Sequence, residues 1–103
     1  MILGWRFFFY ANERNEPIHV HCRKGDAEGK YWLDIQGFET IQAHAYNMSP
    51  ADKGTVRRII FEHFDYIVTE WNKFQERNNG EGTRYSAGFL LWYHSTFASR
   101  RQA

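Results

Sequence analysis

At Ser49-Pro50 the hydrophobic pattern of this 103-residue chain changes period. Before it, apolar residues come in short aromatic or alternating runs cut by turn-forming residues, the pattern of strands. After it, Val56, Ile60, Phe64, Ile67, Trp71 and Phe74 recur every three or four residues, with Ile59 and His63 beside them, which is the stripe of an amphipathic helix. Ser49 suits the helix N-cap, Pro50 the first helical position and Asp52 the first turn, where an acidic side chain faces the positive end of the helix. The stripe predicts a helix to about Arg77, ending at Asn78-Asn79-Gly80. Unbroken, it would reach about 40 Å at 1.5 Å per residue, a length that leaves room for a bend near His63 to Asp65 to split it into two. Strands first and a helix after them define an α+β class, with a mainly antiparallel sheet of three to four strands covered on one face by the helix.

The strand half can be read in register. Trp5 to Tyr10 is a continuous aromatic run, Asn12 to Pro17 a polar loop, and Ile18-His19-Val20-His21 an extended segment that Pro17 leads into. A two-residue turn at Gly25-Asp26 sets His19 opposite Trp32, Val20 opposite Tyr31, His21 opposite Lys30, Cys22 opposite Gly29, Arg23 opposite Glu28 and Lys24 opposite Ala27. Side chains alternate faces along a strand, so Ile18, Val20 and Cys22 join Tyr31 and Leu33 on a core face. His19, His21 and Arg23 join Glu28, Lys30 and Trp32 on the other, a mixed basic and aromatic face. Gln36 to Asn47 has irregular apolar spacing, with a fourth strand favoured over a helix.

Composition narrows the class. Hydrophobic residues are 43% and aromatics 18% of the chain, which requires a packed core. Thirteen basic residues against twelve acidic ones do not describe a domain built wholly around phosphate neutralisation. Cys22 is the single cysteine, so no intrachain disulfide and no Cys-x-x-Cys zinc pair can form. No apolar stretch approaches the roughly 20 residues that cross a bilayer, and the N-terminus lacks a secretory pattern, so a soluble, cytoplasmic protein is expected without a membrane role. Domain organisation reads as residues 1–79 forming one small α+β domain and 80–103 an extension packed on it or on a partner. The extension's apolar run from Ala87 to Phe97 fits a strand, a packing helix or a partner-binding segment equally.

The segments Gly4-Trp5-Arg6-Phe7-Phe8-Phe9-Tyr10, Asn12-Glu13, Glu16-Pro17-Ile18-His19-Val20-His21, Lys24-Gly25-Asp26-Ala27-Glu28 and Tyr31-Trp32-Leu33, with Trp71-Asn72-Lys73-Phe74 further on, resemble the bacterial family called domain of unknown function 4160 over about residues 4–78. The resemblance implies no established activity. It implies a small cytoplasmic bacterial protein encoded beside a second small protein of another uncharacterised family, an arrangement of the toxin–antitoxin kind. It marks Asn12, Glu13, Pro17, His19 and His21, and this chain has Pro17-Ile18 where the common pattern has two prolines.

Four readings of the His-x-His motif follow. In the first, His19 and His21 bind a divalent metal with help from Glu13, Glu16, Asp34 or His44, against which stands Lys30 opposite His21. In the second, His19 or His21 acts with Glu13 as the catalytic acid or base of a ribonuclease, with Arg6, Arg23 or Lys30 stabilising charge. In the third, Arg6, Tyr10, Asn12, Arg23, Lys30 and Trp32 surround the histidines in a binding face for a small protein partner encoded nearby or for RNA. In the fourth, the histidines only hydrogen-bond the loop and hold it to the sheet. The expectation is a toxin–antitoxin-like interaction module using the His19/His21 face, which leaves room for a homo-oligomer. Trp71 and Phe74 are expected in the core or an interface, not against a cofactor, Cys22 as a small buried hydrophobe, and His63 and His94 as packing residues.

Overall fold

The computed structural model describes residues 1–10, 15–81 and 87–89 of the chain. In chain order the elements are β1 (Arg6–Tyr10), β2 (His19–Lys24), β3 (Ala27–Asp34), β4 (Glu39–Tyr46), α1 (Pro50–Glu62), α2 (Phe64–Glu81) and β5 (Ala87–Phe89). All pairings are antiparallel, in the order β4-β3-β2-β1-β5, so the architecture is the α+β one that the change of period at Ser49 predicts. The β2–β3 hairpin has the inferred register at every pair from His19↔Trp32 to Lys24↔Ala27. Gly25 makes that turn with φ +59, a left-handed conformation in which a side chain is strained and glycine is not.

Two devices shape the helical half. Ser49 Oγ accepts from the Asp52 N–H at 3.0 Å while Asp52 Oδ2 accepts from the Ser49 N–H at 3.1 Å, a reciprocal cap that starts α1. The long amphipathic stripe is then split at His63 into two helices. His63 leaves helical geometry at φ −119, its N–H donates back to Ile59 and Ile60, and its own carbonyl accepts from Ile67 to start α2. α2 continues to Glu81, so the division drawn between residues 79 and 80 falls inside this helix. Beyond it, Ala87–Phe89 adds a short strand to β1, one of the three forms open to the extension; residues 90–103, including His94, lie outside the described part.

One face of the sheet carries the core. Phe7 and Phe9 of β1, Val20 and Cys22 of β2, and Tyr31 and Leu33 of β3 pack under Val56, Ile59 and Ile60 of α1 and Phe64, Ile67, Trp71 and Phe74 of α2. Ile18, expected in that core, is half-buried at its margin. Burial of the Cys22 thiol pushes its pKa up to about 12, and burial does the same for the neighbouring Tyr31 hydroxyl, also to about 12. The thiol is therefore a small apolar filler, as its place in the strand suggests.

Candidate functional site

The opposite face of the sheet is assembled by register alone. Cross-strand partners share a face, so Phe8 of β1 lies beside His21, His21 beside Lys30 and Lys30 beside His44; Arg6 pairs with Arg23 and Arg23 with Glu28; His19 pairs with Trp32 and Trp32 with Ile41. Of the predicted residues, Arg6, Tyr10, His19, His21, Arg23, Lys30 and Trp32 thus occupy one surface. Asn12 and Glu13 lie outside the described residues.

The two histidines are not surface groups. His19 has 0% and His21 7% of its surface exposed. The His21 ring stacks on Phe8 at 5.6 Å and meets Tyr10 edge-on at 4.6 Å. His19 meets His21 at 5.1 Å, Trp32 at 5.3 Å and, from the helical layer, Trp71 at 5.0 Å. These edge-to-face contacts suit the ring quadrupoles and fix both imidazoles among aromatic neighbours. His19 Nδ1 lies 2.9 Å from the Pro17 carbonyl, a contact that assigns the ring proton to Nδ1 and pins the end of the incoming loop to β2.

The charged residues around this aromatic centre are engaged. Lys30 Nζ donates to Glu16 Oε1 at 2.6 Å and sits 4.7 Å above the Trp32 ring. The same carboxylate oxygen is 3.9 Å from His19 Nδ1, so Glu16 bridges the loop to both residues. Arg23 donates to Glu28 at 2.7 Å across the hairpin, and that bond together with the charge of Glu28 raises the guanidinium's pKa. Towards the metal reading, no three His, Cys, Asp or Glu side chains converge among the described residues, and Lys30 separates His21 from His44 along their row.

Sequence reasoning missed the β4 portion of this surface. The ladder between β3 and β4 shifts between Lys30 and Tyr31, so Ala43 is an extra residue and Ile41, His44 and Tyr46 all face the same side. A strict two-residue alternation would send Ile41 and Tyr46 to opposite faces. Ile41 is 54% and Tyr46 56% exposed. The unsolved apolar spacing of Gln36 to Asn47 was the trace of this bulge.

The model of the family described as Domain of unknown function (DUF4160) matches residues 4–72. The chain belongs to this family. The DUF4160 span holds β1 to β4, α1 and the part of α2 that carries Trp71, so it includes the whole surface described above and leaves β5 outside. No curated protein and no solved structure is similar enough to this DUF4160 member to match it.

Proposed function

We propose that this chain is a binding module that engages a small protein partner through the aromatic face of its sheet, as one half of a toxin–antitoxin-like pair encoded together. The observation that carries this reading is an asymmetry of the two faces. Helices cover the first, while the second presents Tyr10, Trp32, Ile41 and Tyr46 with no helix of the described residues over them. Aromatic groups with a few charges are the composition of protein interface centres.

Two further features favour a protein over RNA and over catalysis. Arg23 and Lys30 are already matched by Glu28 and Glu16, so this face does not offer the surplus of positive charge that a phosphate backbone requires. Buried imidazoles packed among rings are poor candidates for a base that must reach a substrate. The ribonuclease and metal readings have no comparable support.

The test is co-expression with the protein encoded beside it, followed by affinity purification and calorimetry. A stable complex is expected, weakened about 30-fold by Trp32→Ala, the ~2 kcal/mol of an interface hot spot. No complex at all, or binding of single-stranded RNA whose affinity falls steeply with salt, would sink the protein-partner reading.

A further inference from the structure

We propose that two copies of this chain associate by antiparallel pairing of their β4 strands, in one register fixed by the bulge at Ala43. β4 is the edge of the sheet, and among the described residues no strand lies beyond it. The direction of its backbone groups can be worked out. Leu33 N–H donates to Ile18 O on the β2 side, so the backbone groups of Leu33, and by alternation those of Tyr31 and Gly29, point away from β4. Their β4 partners Thr40, Gln42 and Ala45 therefore point outward.

At Thr40 that outward position is closed. Its N–H donates to Glu39 Oε1 at 2.9 Å and its carbonyl accepts from Arg57 Nη1 at 2.8 Å, with a second Arg57 nitrogen 3.2 Å from Glu39 Oε1. Side chains of this chain occupy the places that another strand would take, which is how proteins blunt a sheet edge. The closure stops there. From residue 41 to residue 46 the edge carries no Lys, Arg, Pro or carboxylate, and the outward groups are those of Gln42 and Ala45.

That open stretch is complementary to itself. A twofold axis between Ala43 and His44 sets Gln42 opposite Ala45 of the second copy, and Ala45 opposite its Gln42, so outward groups meet outward groups on both sides of the axis. The same register sets Ile41 opposite the second copy's Tyr46 and Tyr46 opposite its Ile41. Because of the bulge these four side chains share one face, giving two aromatic–β-branched cross-strand pairs from the most exposed apolar residues of the strand. Thr40 would fall opposite Asn47, and its plugged groups end the ladder. The antiparallel arrangement also keeps the two Glu39 carboxylates at opposite ends. The occupant that this edge fits is a second copy, joined in an isologous contact that makes one continuous sheet.

The test is sedimentation equilibrium of the full chain at about 100 μM, with native amide exchange on the same sample. A mass twice 12.3 kDa is expected, with the Gln42 and Ala45 amides protected although both point away from β3 and no strand of the described residues lies beyond them. Ile41→Lys/Tyr46→Lys, at two exposed positions, should leave the circular dichroism spectrum intact. It should raise the dimer dissociation constant more than about tenfold by setting like charges opposite one another. A monomer at that concentration, or a dimer that keeps its affinity in the double variant with Gln42 and Ala45 exchanging freely, overturns the proposal. Ile41 and Tyr46 also belong to the proposed binding face, so that face is scored separately with Trp32→Ala on β3, which should weaken the partner complex and leave the dimer intact.

Discussion

Replacing His19 by alanine should act on the fold before it acts on any function. The ring is fully buried, touches His21, Trp32 and Trp71, and donates from Nδ1 to the Pro17 carbonyl. Removing an aromatic-sized side chain from such a place costs about 3 kcal/mol through lost contacts and the space left behind, and the carbonyl loses its donor as well. A domain of this length shifts its melting temperature by roughly 4–8 °C per kcal/mol, so His19→Ala should melt some 12–24 °C below the parent chain. Thermal and urea unfolding followed by circular dichroism measure this directly. Arg23→Ala on the same strand removes only an exposed ion pair, which solvent screens, and should melt close to the parent chain. If His19→Ala is as stable as Arg23→Ala, the imidazole is not the fastener described above and its burial has another cause. The result also sets how growth phenotypes are read: an effect lost in a His19→Ala/His21→Ala variant reports folding unless the folded fraction has been measured.

Other expectations follow from the same geometry. Cys22 and Tyr31 keep their protons in the folded state to about pH 12, whereas unfolded thiols and phenols ionise near 8.5 and 10. Folded pKa values above the unfolded ones mean stability that is complete below about pH 8.5 and declines as pH rises towards 12, so the urea midpoint should fall steadily across that window; a flat profile would contradict the burial argument. The Glu39 carboxyl is held below its ordinary range, first by the Thr40 N–H and then by Arg57, so its contribution is present above the unfolded carboxylate pKa and lost as pH falls through the lowered one. Nuclear magnetic resonance titration should find Glu39 below the ordinary glutamate value and find it rising in Arg57→Ala; no rise would show that the Thr40 N–H acts alone. Ser49→Ala removes one half of the reciprocal cap and should cost about 1 kcal/mol, or roughly 4–8 °C in melting temperature, with β-sheet content unchanged.

The elements that sequence revealed are those whose signals are local. The Gly25-Asp26 turn dictates the hairpin register because a two-residue loop leaves no freedom in which residues face each other, and all six pairs follow from it. Ser49, Pro50 and Asp52 act within a single helical turn, so the start of α1 was equally plain. The break at His63 was legible only as an argument about length, since neither proline nor glycine marks it. The burial of His19 was not legible. Alternation correctly placed the ring on the second face, but its enclosure depends on Trp71, which lies 52 positions away and belongs to the opposite layer. The same limit applied to Thr40, whose plug needs Arg57 from α1.

These long-range contacts change what the His-x-His motif means in this chain. A pair of imidazoles on one strand face suggests chemistry when only the strand is considered, because both rings could reach one ion or one substrate. Once Trp71 from α2, Trp32 from β3 and the Pro17 carbonyl from the loop all converge on His19, the motif joins three parts of the fold that have no other shared residue among these contacts. The recognition chemistry then passes to the residues around the pair: Lys30 and Glu16 at its side, Trp32 and Tyr10 over it, and the exposed Ile41 and Tyr46 on β4. The bulge at Ala43 is what brings Ile41 and Tyr46 to that side. Removing it by deleting Ala43 would restore strict alternation and turn either Ile41 or Tyr46 towards the helices, so the deletion should abolish strand pairing between copies while His19 and its neighbours stay packed. Sedimentation, together with an unchanged circular dichroism spectrum and thermal transition, distinguishes that outcome from general unfolding; a dimer that survives the deletion would show that the bulge does not set the pairing.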